Sequence, residues 1–226
     1  MNADETQVPT VGGVRTTRRR SRTSPAKESA LRDLLPRFAA STAGPLPATW
    51  LEEARHDGPV ALDVGVGDGA ATRAWARARP ELLVVAVELH RPGLAKLLVA
   101  LDEEALGNVR VVEADAVELL ARCEPATVAA IRLLFPDPWP KRRHVARRMV
   151  DRSFAAAAAS ALAPGGELHL ATDWDDYAEH ARTMVAAEPR LAPERPERRI
   201  DRPVTAYEAR GMAAGRAITD LVWRRR

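Results

Sequence analysis

One carboxylate in this chain of 226 residues lies between two prolines and shortly before a run of basic side chains. The apolar run 128–135 has the length of a buried strand, and Pro136 must end it because proline brings no amide hydrogen to a sheet. Asp137 therefore follows the carboxyl end of a strand, where open parallel sheets bind ligands. The pattern predicts a reactive-site carboxylate at Asp137, although a rigid turn with a surface aspartate would have the same sequence.

The residues after Asp137 form a basic cluster, which consists of Lys141, Arg142, Arg143, Arg147, Arg148 and Arg152. The pairs Arg143/Arg147 and His144/Arg148 are spaced four apart, as on one face of a helix. Such a face can hold the phosphates of a nucleic acid and set its register without reading its bases. The cluster therefore predicts a site for a polyanion.

A second group of candidate residues follows the first predicted strand and opens a helix. Its three glycines and two acids are Asp63, Gly65, Gly67, Asp68 and Gly69. Glycines at this place let a ligand approach the backbone closely. The acids would repel a dinucleotide pyrophosphate, but they suit a ligand with an amino group and a sulfonium. We expect cofactor contacts at Asp63, Gly65 and Gly67.

Two further acids lie at the ends of the next two predicted strands. Glu88 is placed to accept hydrogen bonds from a ribose diol, and Asp115 from the exocyclic amine of an adenine. A ribose, an adenine and a cation without a phosphate cradle together describe S-adenosylmethionine. Each acid alone could be a helix cap or a turn residue, but four acids at consecutive strand ends are harder to explain in that way.

The elements that would position these residues alternate regularly. Strand patterns cover 59–64, 82–89, 108–114, 128–135, 166–172 and 218–225, and helical patterns cover 28–38, 69–79, 91–105, 116–121, 145–162 and 174–188. Such alternation predicts an α/β protein with a doubly wound, mostly parallel sheet. A Pro/Gly/Ala-rich linker is expected up to about residue 57, and a polar stretch over 189–217.

The formal net charge of +3 is distributed unevenly. Residues 1–27 hold six basic and two acidic side chains, so they carry +4 and the remainder carries −1. Arg-rich arms of this kind are commonly disordered alone and become ordered against nucleic acid. We predict a disordered basic arm over 1–27 and a folded domain over 28–226, although a solvated tail would have the same composition.

The remaining composition excludes several classes of protein. No apolar stretch approaches the ~20 residues of a membrane span, and the N-terminus is polar, so we expect a cytoplasmic protein without membrane contact. Cys123 is the only cysteine and the five histidines show no ligand spacing, so we expect no metal site. The oligomeric state stays open.

Several segments resemble the bacterial tRNA (guanine-N7)-methyltransferase family, from about Arg15 to the C-terminus. The segments that carry the resemblance are 134–139, 141–144, 171–174, 177–180 and 202–211. The sequence Phe-Pro-Asp-Pro-Trp followed by lysine is highly specific to that family. The Arg-Pro-Val-Thr-x-Tyr-Glu segment is a second, independent signature.

The resemblance implies a Rossmann-like class I methyltransferase fold, with S-adenosylmethionine as methyl donor and N7 of a guanosine in the tRNA variable loop as acceptor. It implies cofactor contacts at Asp63, Glu88, Asp115 and Asp137, substrate contacts at Lys141, Asp173, Thr205, Ala206, Tyr207 and Glu208, and RNA contacts at Arg143, His144, Arg147 and Arg148. The chain has Asp63 where the family usually has glutamate.

The residues alone leave other functions open. A methyltransferase for a small molecule or for rRNA could have the same fold, and so could an RNA-binding module without activity. The basic arm and cluster argue against a small substrate, and the acids at the strand ends argue against a module without activity. Which of Asp137, Asp173 and Glu208 contacts the guanine edge is also open.

Overall fold

The computed structural model describes residues 24–194 and 202–226. Seven strands in these ranges form one sheet in the order β3-β2-β1-β4-β5-β7-β6. They are β1 Val60–Val64, β2 Leu83–Val87, β3 Val109–Val112, β4 Val128–Leu134, β5 Leu162–Thr172, β6 Leu191–Glu194 and β7 Thr219–Arg225. The first five strands pair in parallel, and β7 is antiparallel to both β5 and β6. The predicted doubly wound, mostly parallel fold is confirmed.

Helices cover both faces of this sheet. They are α1 Pro25–Phe38, α2 Ala48–Ala54, α3 Ala70–Ala78, α4 Arg91–Glu103, α5 Ala116–Arg122, α6 Arg152–Ala161, α7 Asp175–Ala186 and α8 Ala206–Ala213, with a 3₁₀ helix over Arg142–Arg147. One face packs apolar side chains against α1, α3 and α4, and the other packs against α5, α6 and α7. Central strands β1 and β2 are buried along their whole length, as parallel strands between two helix layers should be.

The predicted helix over 145–162 is wrong in its first part. The structure has the 3₁₀ helix Arg142–Arg147, a break, and then α6 from Arg152. Asp151 starts α6, because its side chain accepts a hydrogen bond of 2.9 Å from the amide of Phe154. This aspartate is the sequence signal for the later helix start.

Three further elements lie where the sequence suggested linker or irregular chain. Helix α2 falls in the predicted linker, where Trp50 is fully buried and its indole donates to the carbonyl of Ser41. Strand β6 and helix α8 fall in the polar stretch 189–217. The α8 start follows Thr205, whose hydroxyl accepts from the amide of Glu208, and Thr-x-x-Glu is a known start signature.

The predicted arm over 1–27 lies almost entirely outside the described residues, which begin at Ser24, and α1 already starts at Pro25. Among the described residues, none of the helices is both long and apolar enough to cross a membrane.

Candidate active site

The predicted site residues lie along one edge of the sheet. Asp63 lies near the carboxyl end of β1, and Glu88, Asp115, Asp137 and Asp173 follow the carboxyl ends of β2, β3, β4 and β5. These strands are parallel neighbours, so their carboxyl ends meet at the same edge. The structure therefore brings together the acids that the sequence placed at separate strand ends.

The glycine loop leaves its backbone open to a ligand. Gly65 has a φ of +70°, and a Cβ atom placed on it would meet nothing within 4 Å. Gly93 of α4 supports the loop from behind, since a Cβ there would lie 2.4 Å from the carbonyl oxygen of Gly67. Sequence reasoning missed Gly93, because only the packing of α4 against the loop requires a glycine at that position.

Glu88 is fixed by three backbone amides. Its Oε2 accepts a hydrogen bond of 2.9 Å from the amide of Gly67, and its Oε1 accepts from the amides of Leu89 and His90 at 2.8 and 2.7 Å. A carboxylate has about four lone-pair positions, so acceptor capacity remains for a ligand. The side chain thus connects the glycine loop to the end of β2 and keeps a fixed direction.

Asp63 lies deeper than the sequence suggested. It is 2% exposed, and its Oδ2 accepts a hydrogen bond of 2.7 Å from the hydroxyl of Thr72 in α3. Burial raises the pKa of Asp63 to about 6, against the opposing effects of the Thr72 hydrogen bond and the positive charge of Arg132. Its observed contact is therefore with the start of α3, and contact with a cofactor stays a prediction.

Asp115 is the N-cap of α5. Its Oδ1 accepts from the amides of Val117 and Glu118 at 2.9 and 3.2 Å. Its Oδ2 accepts no hydrogen bond within the described part of the chain. One oxygen thus has the capping role that the sequence also allowed, and the other can accept from an adenine amine.

The loop around Asp137 has an unusual backbone at both ends. Phe135 and Trp139 have φ values of +52° and +45°, which bulky side chains rarely adopt. Asp137 between them is exposed and accepts no hydrogen bond from the described residues. Backbone outliers of this kind persist only where the surrounding structure enforces them, and they are frequent at functional sites.

Arg148 provides part of that enforcement. Its guanidinium donates 3.0 Å to the carbonyl of Pro138 and also contacts the carboxylate of Asp176. The residue is only 3% exposed. Arg148 was predicted to contact RNA; instead it lies in the interior, where its hydrogen bonds hold the Asp137 loop against the start of α7.

The other basic residues of the cluster stay outside. Lys141, Arg143 and Arg147 are exposed. In a 3₁₀ helix, residues three apart share a face. The His144 ring centre lies 5.7 Å from the centre of the Trp139 ring, and the guanidinium carbon of Arg147 lies 5.1 Å from it. The predicted spacing of four is therefore wrong, and the basic surface is built on the Trp139 side chain.

Asp173 and α8 pack closely together. A Cβ on Gly211 would lie 2.6 Å from the Asp173 carboxylate, which also accepts a hydrogen bond of 2.8 Å from Arg216. At the other end of α8, Tyr207 is 56% exposed and its ring lies 3.8 Å from the Cβ position of Gly67. Helix α8 thus extends from the end of β5 to the glycine loop.

Two residues of the predicted substrate segment use their side chains within the protein. Glu208 was predicted to contact the substrate, but it is fully buried and forms an ion pair with Arg202. Thr205 uses its hydroxyl to cap α8. Ala206 and Tyr207 keep the exposed positions of the segment. Among the described residues no group of three or more His, Cys, Asp or Glu side chains could hold a metal ion.

This geometry fits S-adenosylmethionine. The backbone at Gly65 is open, so a ligand can approach it closely. Glu88 and Asp115 present oriented acceptors for a ribose diol and an adenine amine. The acids of the site match a cationic ligand.

Comparisons with known proteins support this assignment. A family model described as "Putative methyltransferase" matches residues 57–221. A tRNA (guanine-N(7)-)-methyltransferase of Methylococcus capsulatus is 39% identical over 216 residues, which cover 92% of this chain and 91% of the relative. A protein of the same name from Nocardioides sp. is 48% identical over 169 residues, covering 74% and 68% of the two chains.

The chain belongs to the bacterial tRNA (guanine-N7-)-methyltransferase family. It is therefore an enzyme whose methyl donor is S-adenosylmethionine. Among solved structures, the aminoglycoside resistance methyltransferase NpmB1 has a TM-score of 0.57 at 18% identity, covering 84% of this chain and 98% of that one. The 16S rRNA methyltransferase KamB gives the same score and identity over 83% and 98%. These two likenesses show that this chain has the methyltransferase fold.

Proposed function

We propose that this chain transfers a methyl group from S-adenosylmethionine to N7 of a guanosine in the variable loop of tRNA, giving 7-methylguanosine. The observation that carries the proposal is Asp137, which is exposed at the carboxyl edge of the sheet on a loop with enforced backbone ends. The names of the relatives supply the base and the RNA. A tRNA substrate also favours action in the cytoplasm.

The proposed chemistry needs alignment more than proton transfer. S-adenosylmethionine, when bound, supplies a methyl carbon that is electrophilic because of its sulfonium sulfur. Guanine N7 carries a lone pair and no proton, so the protein needs no general base. Alignment of the reacting atoms can lower the barrier by up to ~7 to 11 kcal/mol. The methylated ring becomes cationic, and the Asp137 carboxylate opposes that developing charge.

Guanine selection follows from the same acids. Guanine donates from N1 and N2, and the carboxylates of Asp137 and Asp173 at the ends of β4 and β5 can accept from that edge. Adenine lacks the donor edge and would leave these acceptors unpaired. Glu208 is buried beside Arg202, which favours an indirect part for it in holding the segment that contains Tyr207.

Binding of tRNA is assigned to the exposed basic residues Lys141, Arg143 and Arg147, with His144 beside them. Desolvation, and then the charges of Arg147 and Arg143, lowers the pKa of His144, as expected in a positively charged surface.

The arm over 1–27 would add phosphate contacts. Deleting residues 1–22 should then flatten the salt dependence of tRNA affinity by roughly 0.9 log units for each lost phosphate contact. An unchanged slope would show that the arm does not bind RNA.

Nucleoside mass spectrometry tests the reaction directly. Cells lacking this protein should lose 7-methylguanosine from tRNA, and the wild-type chain should restore it. Asp137→Asn should not restore it, because the amide removes the charge and presents donors to the donor edge of guanine. Asp57→Asn is the matched control, since Asp57 is exposed just before β1, at the opposite edge of the sheet.

Single-turnover methyl transfer in vitro measures the contribution of Asp137. Asp137→Asn should lower the rate constant on the order of 100-fold or more while tRNA binding is retained. A normal rate constant would move the reactive role to Asp173. In cells lacking this protein, loss of 7-methylguanosine from rRNA with tRNA unaffected would show that rRNA is the substrate in place of tRNA.

A further inference from the structure

Arg202 connects three segments of the candidate site through a side chain that is entirely buried. Its Nε and Nη2 donate to the two oxygens of Asp220 in β7, at 3.0 and 3.1 Å. Its Nη1 donates to Glu208 in the first turn of α8. Its guanidinium carbon also lies 5.3 Å from the centre of the Phe135 ring, at the start of the Asp137 loop.

The partners of Arg202 are themselves fixed. Asp220 Oδ1 accepts a second hydrogen bond of 2.7 Å from His169 in β5. Burial alone would raise the pKa of Asp220, but the hydrogen bonds from His169 and Arg202 hold it below its usual range. Burial lowers the pKa of His169 despite the nearby carboxylate, so a neutral imidazole donates from Nε2. Arg202 is thereby anchored to two strands of the sheet.

A guanidinium is required for this arrangement. It offers five donors in a planar fork, so it can bind Asp220 with two parallel hydrogen bonds and still reach Glu208. A lysine ammonium has the same charge at a single point and cannot form the fork. The arrangement therefore depends on the shape of the side chain as well as on its charge.

We propose that Arg202 is a positioning residue, which holds the Tyr207-bearing turn of α8 and the Phe135 end of the Asp137 loop in one fixed relation. This inference rests on the proposed function, because the two segments are the ones assigned to the guanine and to the reactive carboxylate. Arg202 itself has no exposed side-chain surface with which to touch the substrate. It acts through Glu208 and Phe135, and a displacement of about 1 Å at a reacting centre can cost about 100-fold in rate.

Arg224 provides a matched control on β7, the strand that also carries Asp220. It also joins two carboxylates from different elements, Glu167 of β5 and Glu194 of β6. Both of these pairs are partly exposed and lie toward the far end of β7, away from α8. Arg224→Lys thus removes the same kind of fork without altering the segments around the guanine.

The experiment measures single-turnover methyl transfer, S-adenosylmethionine affinity, tRNA affinity and thermal unfolding for the full-length wild type, Arg202→Lys and Arg224→Lys. We expect Arg202→Lys to lower the rate constant for methyl transfer by about 100-fold with unchanged cofactor affinity. Arg224→Lys should keep the wild-type rate constant. A rate constant for Arg202→Lys equal to that of Arg224→Lys would overturn the proposal.

Asp220→Asn is a second variant in case Arg202→Lys does not fold. It keeps the shape of the partner and weakens the hold on Arg202 without changing any residue assigned to the substrate. The same selective loss of rate is expected, and a normal rate constant would overturn the proposal. Failure of the proposed function would look different, since the wild type would then form no 7-methylguanosine in tRNA.

Discussion

The candidate site has a cofactor half, formed by the glycine loop with Asp63, Glu88 and Asp115, and a substrate half, formed by the Asp137 loop, Asp173 and α8. The two halves hold their carboxylates in different ways. In the cofactor half, Glu88 and Asp115 accept hydrogen bonds from backbone amides one to three residues away, and Glu88 also accepts from Gly67. In the substrate half, Asp137 accepts no hydrogen bond from the described residues, and three acids around it pair with arginines from other segments. The separations are 28 residues for Asp176 and Arg148, 43 for Asp173 and Arg216, and 18 for Asp220 and Arg202.

This contrast has a physical reason. The cofactor half binds a small ligand of fixed shape, and turns that orient their own side chains can provide its contacts. The substrate half must bring a loop, a helix start and a strand end into one relation around a base. Long guanidinium side chains can connect such segments across the sheet edge. Variants in the cofactor half should therefore act locally, and variants in the substrate half should affect several segments.

The largest predicted effect concerns Asp63, which belongs to the cofactor half but is buried. Its pKa rises from 3.8 in the unfolded chain to about 6 in the folded protein, so the folded state retains its proton to higher pH. This contribution to stability is complete below pH 3.8 and is lost as the pH rises through 6. Between pH 4 and 7, Asp63→Asn should gain on the wild type by up to roughly 3 kcal/mol in the free energy of unfolding.

Urea denaturation at a series of pH values measures this difference. A difference between Asp63→Asn and wild type that does not change with pH would show that Asp63 is not a buried titrating group. If the ionised carboxylate also favours a cationic ligand, S-adenosylmethionine affinity of the wild type should fall as the pH drops through 6.

Arg148→Met tests the substrate half. It removes the hydrogen bond to the carbonyl of Pro138 and the ion pair with Asp176, and should lower the free energy of unfolding by about 2 kcal/mol. Methyl transfer should fall further than the loss of folded protein explains, because the Asp137 loop is released. Arg182→Met is the control, since its ion pair with Glu179 is exposed and should contribute less than about 1 kcal/mol. Equal losses in the two variants would contradict the role of Arg148.

Glu88→Ala tests the cofactor half. It should weaken S-adenosylmethionine binding by about 1.5 kcal/mol, or roughly tenfold in Kd, through loss of a charge-assisted contact. Methyl transfer at saturating cofactor should change little. Glu81→Ala, at the opposite end of β2, should leave the affinity unchanged. Calorimetry that finds normal affinity in folded Glu88→Ala would remove Glu88 from the site.

The smallest effect separates the two functions of Asp115. Asparagine is as good an N-cap as aspartate, whereas alanine loses the cap at a cost of about 1 kcal/mol. Asp115→Asn should therefore keep the wild-type stability and still bind the cofactor more weakly. Asp115→Ala should lose both. Normal cofactor affinity in Asp115→Asn would make Asp115 a helix cap alone.

The sequence by itself determined the five parallel strands and β7, the strand-end acids and the family. Apolar runs and glycine patterns involve only residues that are close together in the sequence, so they can be recognised without the structure. The order of strands and helices then places Asp63, Glu88, Asp115, Asp137 and Asp173 at one edge, because parallel strands align their carboxyl ends. The Thr205 and Asp151 caps were equally local signals and could have located α8 and α6.

Only the tertiary structure decided how the basic and acidic side chains are used. Nothing near Arg148 in the sequence separates it from the exposed Arg147, yet one is buried under the Asp137 loop and the other is exposed. Glu208 likewise has the type of a base-binding carboxylate, but it is buried against Arg202, which Asp220 of β7 holds in place. Such pairings depend on which distant segments the fold brings together, and that information is absent from local patterns.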